Sequence, residues 1–177
     1  MSLVGKPGEK FEVGTLEHGI RTGLNFAFRE VREHMLDIIS ELIEDFDVDG
    51  IELDWFRHPA FFRVEEAYDN RHLTTDLIKK VKEKINVVTE TTGRVVKLAV
   101  RVPPTLQDSA RIGLDVEHWI KNEFVEIVIA GGGFIPYSTP IDEFVDVAKN
   151  TDIKVLGSLE HLRPAVTERS ITGIIDR

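Results

Sequence analysis

Phe46-Asp47-Val48-Asp49-Gly50-Ile51-Glu52-Leu53-Asp54-Trp55-Phe56 is the stretch on which the fold turns. Its first half, Asp47-Val48-Asp49-Gly50, is a turn signal, and the six residues that follow are too few for a helix and rich in strand formers. They predict a strand. Upstream, Val31, Met35, Ile38, Ile39, Leu42, Ile43 and Phe46 recur in steps of three and four, which predicts a helix of about four turns with one apolar stripe. Helix, turn and strand therefore form one unit.

Downstream the same unit recurs three more times. Leu77, Ile78, Val81, Ile85 and Val88 mark a second helix closed by Thr92-Gly93, and residues 95–102 form a second strand stopped by Pro103-Pro104. Asp115 is the expected N-cap of a short helix through Trp119 and Ile120, followed by a nearly continuous apolar strand over 125–130 and then Gly131-Gly132-Gly133. Thr139 as N-cap and Pro140 at the first helical position open a fourth helix, with Ile141, Phe144, Val145 and Ala148 turned inward and a strand over 153–159. A fifth strand is expected at 171–175. Strict alternation with short connections predicts a parallel α/β sheet, because parallel neighbours need a crossover and a helix is the usual one. Composition shows no interdomain linker, so residues 1–177 read as one domain.

Composition narrows the function. Lys and Arg number 22 against 31 Asp and Glu, a formal net charge of −9 that argues against nucleic acid or an anionic membrane as partner. The absence of cysteine removes thiolate chemistry, disulfides and Cys-based metal sites, and the six His lack metal-ligand spacing. No cofactor or metal is expected. No apolar run approaches the roughly 18 residues of a membrane span, and residues 1–8 carry no apolar signal-peptide core, which leaves the compartment unknown.

Along the first strand, Ile51, Leu53 and Trp55 point one way, while Glu52, Asp54 and Phe56 point the other. Two carboxylates thus share a face, with Cα atoms roughly 6.5 to 7 Å apart. Alternation in the second strand puts Lys97, Ala99 and Arg101 together, so Arg101 can join that face. Asp54, Arg57, His58 and Arg101 then converge at the carboxy-terminal end of the sheet, where α/β folds place their sites. Such a group suits a polyhydroxylated or anionic ligand, with the carboxylate for acid/base or nucleophilic work and arginine for hydroxyls or carboxylates. The structural alternative is a buried Glu52–Arg101 pair, with Asp54 accepting backbone hydrogen bonds from the next loop.

Common glycosidases need two carboxyl groups. Asp54 is the first choice, Glu160 after the fourth strand is the partner, and Glu52, one pleat deeper, is the reserve. Phe61, Phe62 and Tyr68 are candidates for a sugar-stacking platform, against which stands a small satellite core under the loop. Trp55 and Trp119 read as core. Gly131-Gly132-Gly133 after a strand is the feature that a phosphate- or nucleotide-binding domain would use, but no Lys-Ser/Thr follows it. His118 and His161 carry no identifiable role.

The phrase from Phe46 through Phe56 and on to Arg57-His58-Pro59 resembles the fourth-strand phrase of the family 10-like group of glycosyl-hydrolase-like proteins, which have (β/α)8 barrels. The resemblance extends from Asn25 through Phe28-Arg29-Glu30-Val31-Arg32 to Arg101-Val102-Pro103 and the segment 113–119. It implies a carbohydrate ligand and a carbohydrate-active barrel. Gly50, Glu52 and Asp54 also resemble the acidic series of family 18 chitinases, but Phe56 stands where the resemblance puts the catalytic glutamate, which argues against chitinase activity. A complete (β/α)8 barrel takes at least about 200 residues, whereas this chain has 177. The expectation is a partial barrel of four to five parallel strands, a glycoside hydrolase or a glycan-binding or structural segment. Its open sheet edges are expected to favour pairing with a second copy or with missing strands.

Overall fold

The structure, a computed structural model, describes residues 23–56, 59–131 and 139–158. In chain order these form α1 (Arg29–Asp45), β1 (Gly50–Asp54), α2 (Arg71–Thr92), β2 (Lys97–Val102), α3 (Leu106–Arg111), α4 (Val116–Lys121), β3 (Ile127–Ala130), α5 (Asp142–Ala148) and β4 (Lys154–Gly157). The four strands pair in the order β1-β2-β3-β4, all parallel. This is the α/β arrangement predicted from the alternation. The expected strand at 171–175 lies outside the described residues.

Strand alternation separates two faces of the sheet. Leu98, Val100 and Val102 of β2 and Val128 and Ala130 of β3 are fully buried, and they pack with Leu77, Ile78, Val81, Ile85 and Val88 of α2, Trp119 and Ile120 of α4, and Phe144 of α5 in one core. The helices cover that face because their apolar stripes and the strands' alternate residues remove each other from water, at about 25 cal/mol for each Å² of apolar surface. The opposite face carries two rows set by the register: Glu52, Ala99, Ile127 and Lys154 in one, Asp54, Arg101, Ile129 and Leu156 in the next. Glu52, Asp54, Lys154 and Leu156 are exposed there.

At the amino-terminal end of the strands, Glu126 ties three of them together. Its backbone N–H donates to Leu98 O (2.9 Å), its carbonyl accepts from Lys154 N (3.0 Å), and its carboxylate accepts from Leu98 N (2.8 Å) and pairs with Lys82 of α2. Chemistry at this end of a parallel sheet serves stability.

Three features depart from the sequence reading. The segment 103–113, read as a long connection, contains α3. Thr105 caps it, its Oγ1 accepting from Asp108 N at 2.9 Å, and Glu143 Oε1 of α5 accepts from Leu106 N at 2.8 Å. Six residues are too few to show periodicity, which is why the helix is invisible in the pattern. The fourth helix begins at Asp142 instead of Pro140, because Thr139 is tied elsewhere: its hydroxyl donates to Ser158 O at 3.1 Å and it packs on Gly131. The α1 stripe is split. Val31, Ile39 and Ile43 are buried against α2 and the sheet, but Ile38, Leu42 and Phe46 stay 42, 43 and 52% exposed.

Two glycines test local backbone demands. Gly93 ends α2 with φ +75°, and a Cβ there would meet nothing within 4 Å. Gly113 has φ +93°, and a Cβ would lie 2.5 Å from the Phe62 ring. Gly93→Ala should cost about 1 kcal/mol from conformation alone, and Gly113→Ala should cost a further ~1–3 kcal/mol from overpacking. Urea midpoints of the two variants check this, and equal losses would contradict it. By the same measurement Thr105→Ala should lose about 1 kcal/mol through its lost cap.

Candidate functional site

Four residues of β1 lead to the site and the fifth carries it. Gly50 begins β1 where a Cβ would lie 2.7 Å from the Lys97 carbonyl, so the two strands approach closely and pair in a single register. That register sets Asp54 opposite Arg101 on the open face. The guanidinium Nη1 lies 3.6 Å from Asp54 Oδ2, with the side chains 24% and 33% exposed, and Asp54 Oδ1 accepts the Phe56 backbone N–H at 2.9 Å. The chain turn after β1 thus holds the carboxylate in one orientation from behind, while the arginine holds it from the side. The ladder extends one step beyond β1, with Trp55 N donating to Arg101 O at 2.9 Å.

Glu52 does not form the pair with Arg101 that the structural alternative proposed. It sits opposite Ala99, one row deeper and exposed, two positions from Asp54 on the same face. The other half of that alternative holds, since Asp54 does accept a backbone N–H from the following residue.

Beneath the rim lies an aromatic cluster. Trp55, 5% exposed, meets Phe26 edge to face at 5.7 Å and Phe61 at 4.9 Å between ring centroids, and lies 6.2 Å from Trp119. Trp119 is fully buried and its indole N–H donates to Thr75 Oγ1 at 2.8 Å. The Trp55 indole N–H is also buried, yet it has no hydrogen-bond partner among the described residues. A buried donor of this kind usually finds an acceptor, so it is an unused polar handle under the rim.

The three aromatics proposed as a stacking platform fall in different places. Phe62 is 3% exposed and packs against Gly113, which makes it core and removes its ring from any open surface. Phe61 is half-buried, with its ring engaged by Trp55 and by Phe26 at 5.6 Å. Tyr68 is 57% exposed, but the Arg71 guanidinium lies 3.5 Å above its ring. Sequence reasoning missed Phe26 and Asn25 as parts of this region. Phe26 N donates to Phe61 O at 2.7 Å, and buried Asn25 accepts from Ala27 N through its side chain at 2.9 Å. The signal available for Asn25 was a polar residue just before an apolar run.

Arg57, His58 and Glu160 lie outside the described residues, as do Gly132, Gly133 and His161. Gly131 at the end of β3 has φ +100°, and Thr139 fills the space where its Cβ would stand. Close packing and a left-handed backbone therefore account for that glycine. No group of three or more His, Asp or Glu among the described residues is placed to hold a metal ion, and no described helix is long and apolar enough to cross a membrane.

No family model matches the chain, and no curated protein matches its sequence. Among solved structures it is similar to chitinase ChiA74 from Bacillus thuringiensis, with 14% sequence identity and a TM-score of 0.50 over 76% of this chain and 25% of that one. The chain thus spans about a quarter of that protein's length. The likeness is one of fold, and it agrees with the parallel ladder: the chain is α/β, with the strands and flanking helices of a partial (β/α) barrel.

Proposed function

We propose that the carboxy-terminal rim of β1 and β2 is a glycan site of glycoside hydrolase type, with Asp54 as the reacting carboxylate and Arg101 as the group that orients hydroxyls. The observation that carries this reading is the Asp54–Arg101 pair itself, placed at the strand ends on the open face, where barrel enzymes assemble their chemistry. A carboxylate accepts from sugar hydroxyls and a guanidinium donates to them, and the fixed fork between the two orients a ring better than either alone. The aromatic cluster below supports the reading by giving the rim a rigid apolar floor with one unused N–H. The fold likeness to a chitinase is consistent with it. Arg57, His58 and Glu160 follow β1 and β4 in the chain, and Glu160 is the proposed second carboxylate, with Glu52 in reserve.

A second reading, glycan binding without turnover, is favoured by Phe56. It stands where a catalytic glutamate belongs in the chitinase-like phrase, and here it gives its backbone N–H to Asp54. One experiment separates the two. The pair is partly exposed, so Asp54→Asn should change stability by less than about 1 kcal/mol and leave the fold intact for assay. Aryl glycosides and soluble polysaccharides are offered to the 177-residue chain and to Asp54→Asn and Arg101→Ala. Hydrolysis predicts a kcat loss on the order of 10²–10⁴-fold for Asp54→Asn and a roughly tenfold weaker KM for Arg101→Ala. Binding to both proteins without products supports the silent reading. Equal turnover by Asp54→Asn removes Asp54 from catalysis, and no binding by any protein overturns both readings.

A further inference from the structure

The sheet ends on two bare edges. Among the described residues β1 pairs with β2 alone and β4 with β3 alone, and both outer edges offer unpaired backbone groups. The face opposite the helices is uncovered as well, although parallel sheets are normally covered on both sides. The exposed row of Ile38, Leu42 and Phe46 adds a third open surface at the β1 edge, on the flank of α1 away from α2.

We propose that two copies of this chain close on each other as half-barrels, related by a two-fold axis parallel to the strands, so that β1 of each copy adds to β4 of the other. Such an axis preserves strand direction, and the resulting ring is parallel throughout. The contact is isologous and closes after two copies, leaving no edge. Four strands per copy make eight, the number at which a barrel interior is just wide enough for side chains to fill. The open face, with Ala99, Ile127, Ile129 and Leu156, becomes the packed lumen. On the outside, α1 comes to lie beside the partner's α5, which leaves Val145 42% exposed in one copy.

Charge selects the second copy as the occupant. Glu52 on β1 and Lys154 on β4 stand in the same row of the same face, at opposite edges of the sheet. Within one copy they are separated by three strand spacings, roughly 14 Å, and cannot pair. Across each seam the row runs from Lys154 of one copy to Glu52 of the next, and opposite charges on adjoining strands attract. The proposal rests on the fold and its open surfaces and does not depend on the glycan reading. Both rims lie at the same end of the closed ring.

Sedimentation velocity on the full chain tests it. The expected species has twice the 20.1 kDa mass of one chain. Glu52→Lys and Lys154→Glu each turn attraction into repulsion at both seams and should weaken dimerisation about tenfold or more. An equimolar mixture of the two variants restores opposite charges at both seams and should recover the dimer. Leu42→Glu, on the exposed flank of α1, should also weaken it, and far-UV circular dichroism checks that each variant keeps its helices. A chain that stays monomeric at its highest soluble concentration overturns the proposal. So does a dimer indifferent to all three substitutions, or a mixture of the charge variants that fails to associate.

Discussion

Asp54 faces Arg101 because β1 and β2 pair in parallel with Gly50 opposite Lys97, and every other placement on the open face follows from that register. A slip of one residue would turn Leu98 and Val100 out of the core and carry Arg101 to the helix side. The core forbids this, since both residues are fully buried among α2 and α4 side chains. The close approach of Gly50 to the Lys97 carbonyl adds a steric condition at the start of the ladder. Apolar burial on one face thereby determines where the polar groups of the other face stand.

The two ends of the sheet divide the work. At the amino-terminal end Glu126 spends its backbone and side-chain groups joining β2, β4 and α2. At the carboxy-terminal end the polar groups remain partly exposed, and the floor beneath them is aromatic. A cluster of Phe26, Trp55 and Phe61 is stiff, because each ring meets its neighbours edge to face and leaves few alternative rotamers. A rigid floor with polar groups above it suits a flat, hydroxylated ring.

Much of this was legible in the sequence, and the reason is local. The α2 stripe repeats every three or four residues and all five of its named apolar residues are buried, and Gly93 closes the helix in the left-handed conformation its position suggested. The shared face of Asp54 and Arg101 follows from period-two alternation once the strands are adjacent. What was not legible depends on distant partners. The six residues of α3 show no periodicity, and their cap is completed by Glu143 from another helix. Thr139 has the chemistry of an N-cap but is claimed by Ser158 and Gly131. Ile38, Leu42 and Phe46 belong by spacing to the buried stripe, yet their exposure is set by what lies beside α1, and a helical period cannot report that.

The account centres on the rim above Trp55 as the place where a ligand meets this chain, and the two tryptophans provide an internal comparison. Trp119 has its indole N–H committed to Thr75, whereas the Trp55 N–H is without a partner among the described residues. A ¹H–¹⁵N spectrum of the indole region, recorded while a soluble oligosaccharide such as chitotetraose, cellotetraose or xylotetraose is added, reads both at once. The account predicts that at least one of these sugars moves the Trp55 signal and the Arg101 side-chain signal in a saturable way, with Trp119 nearly still. Sugars that bind while leaving Trp55 and Arg101 unmoved would contradict it.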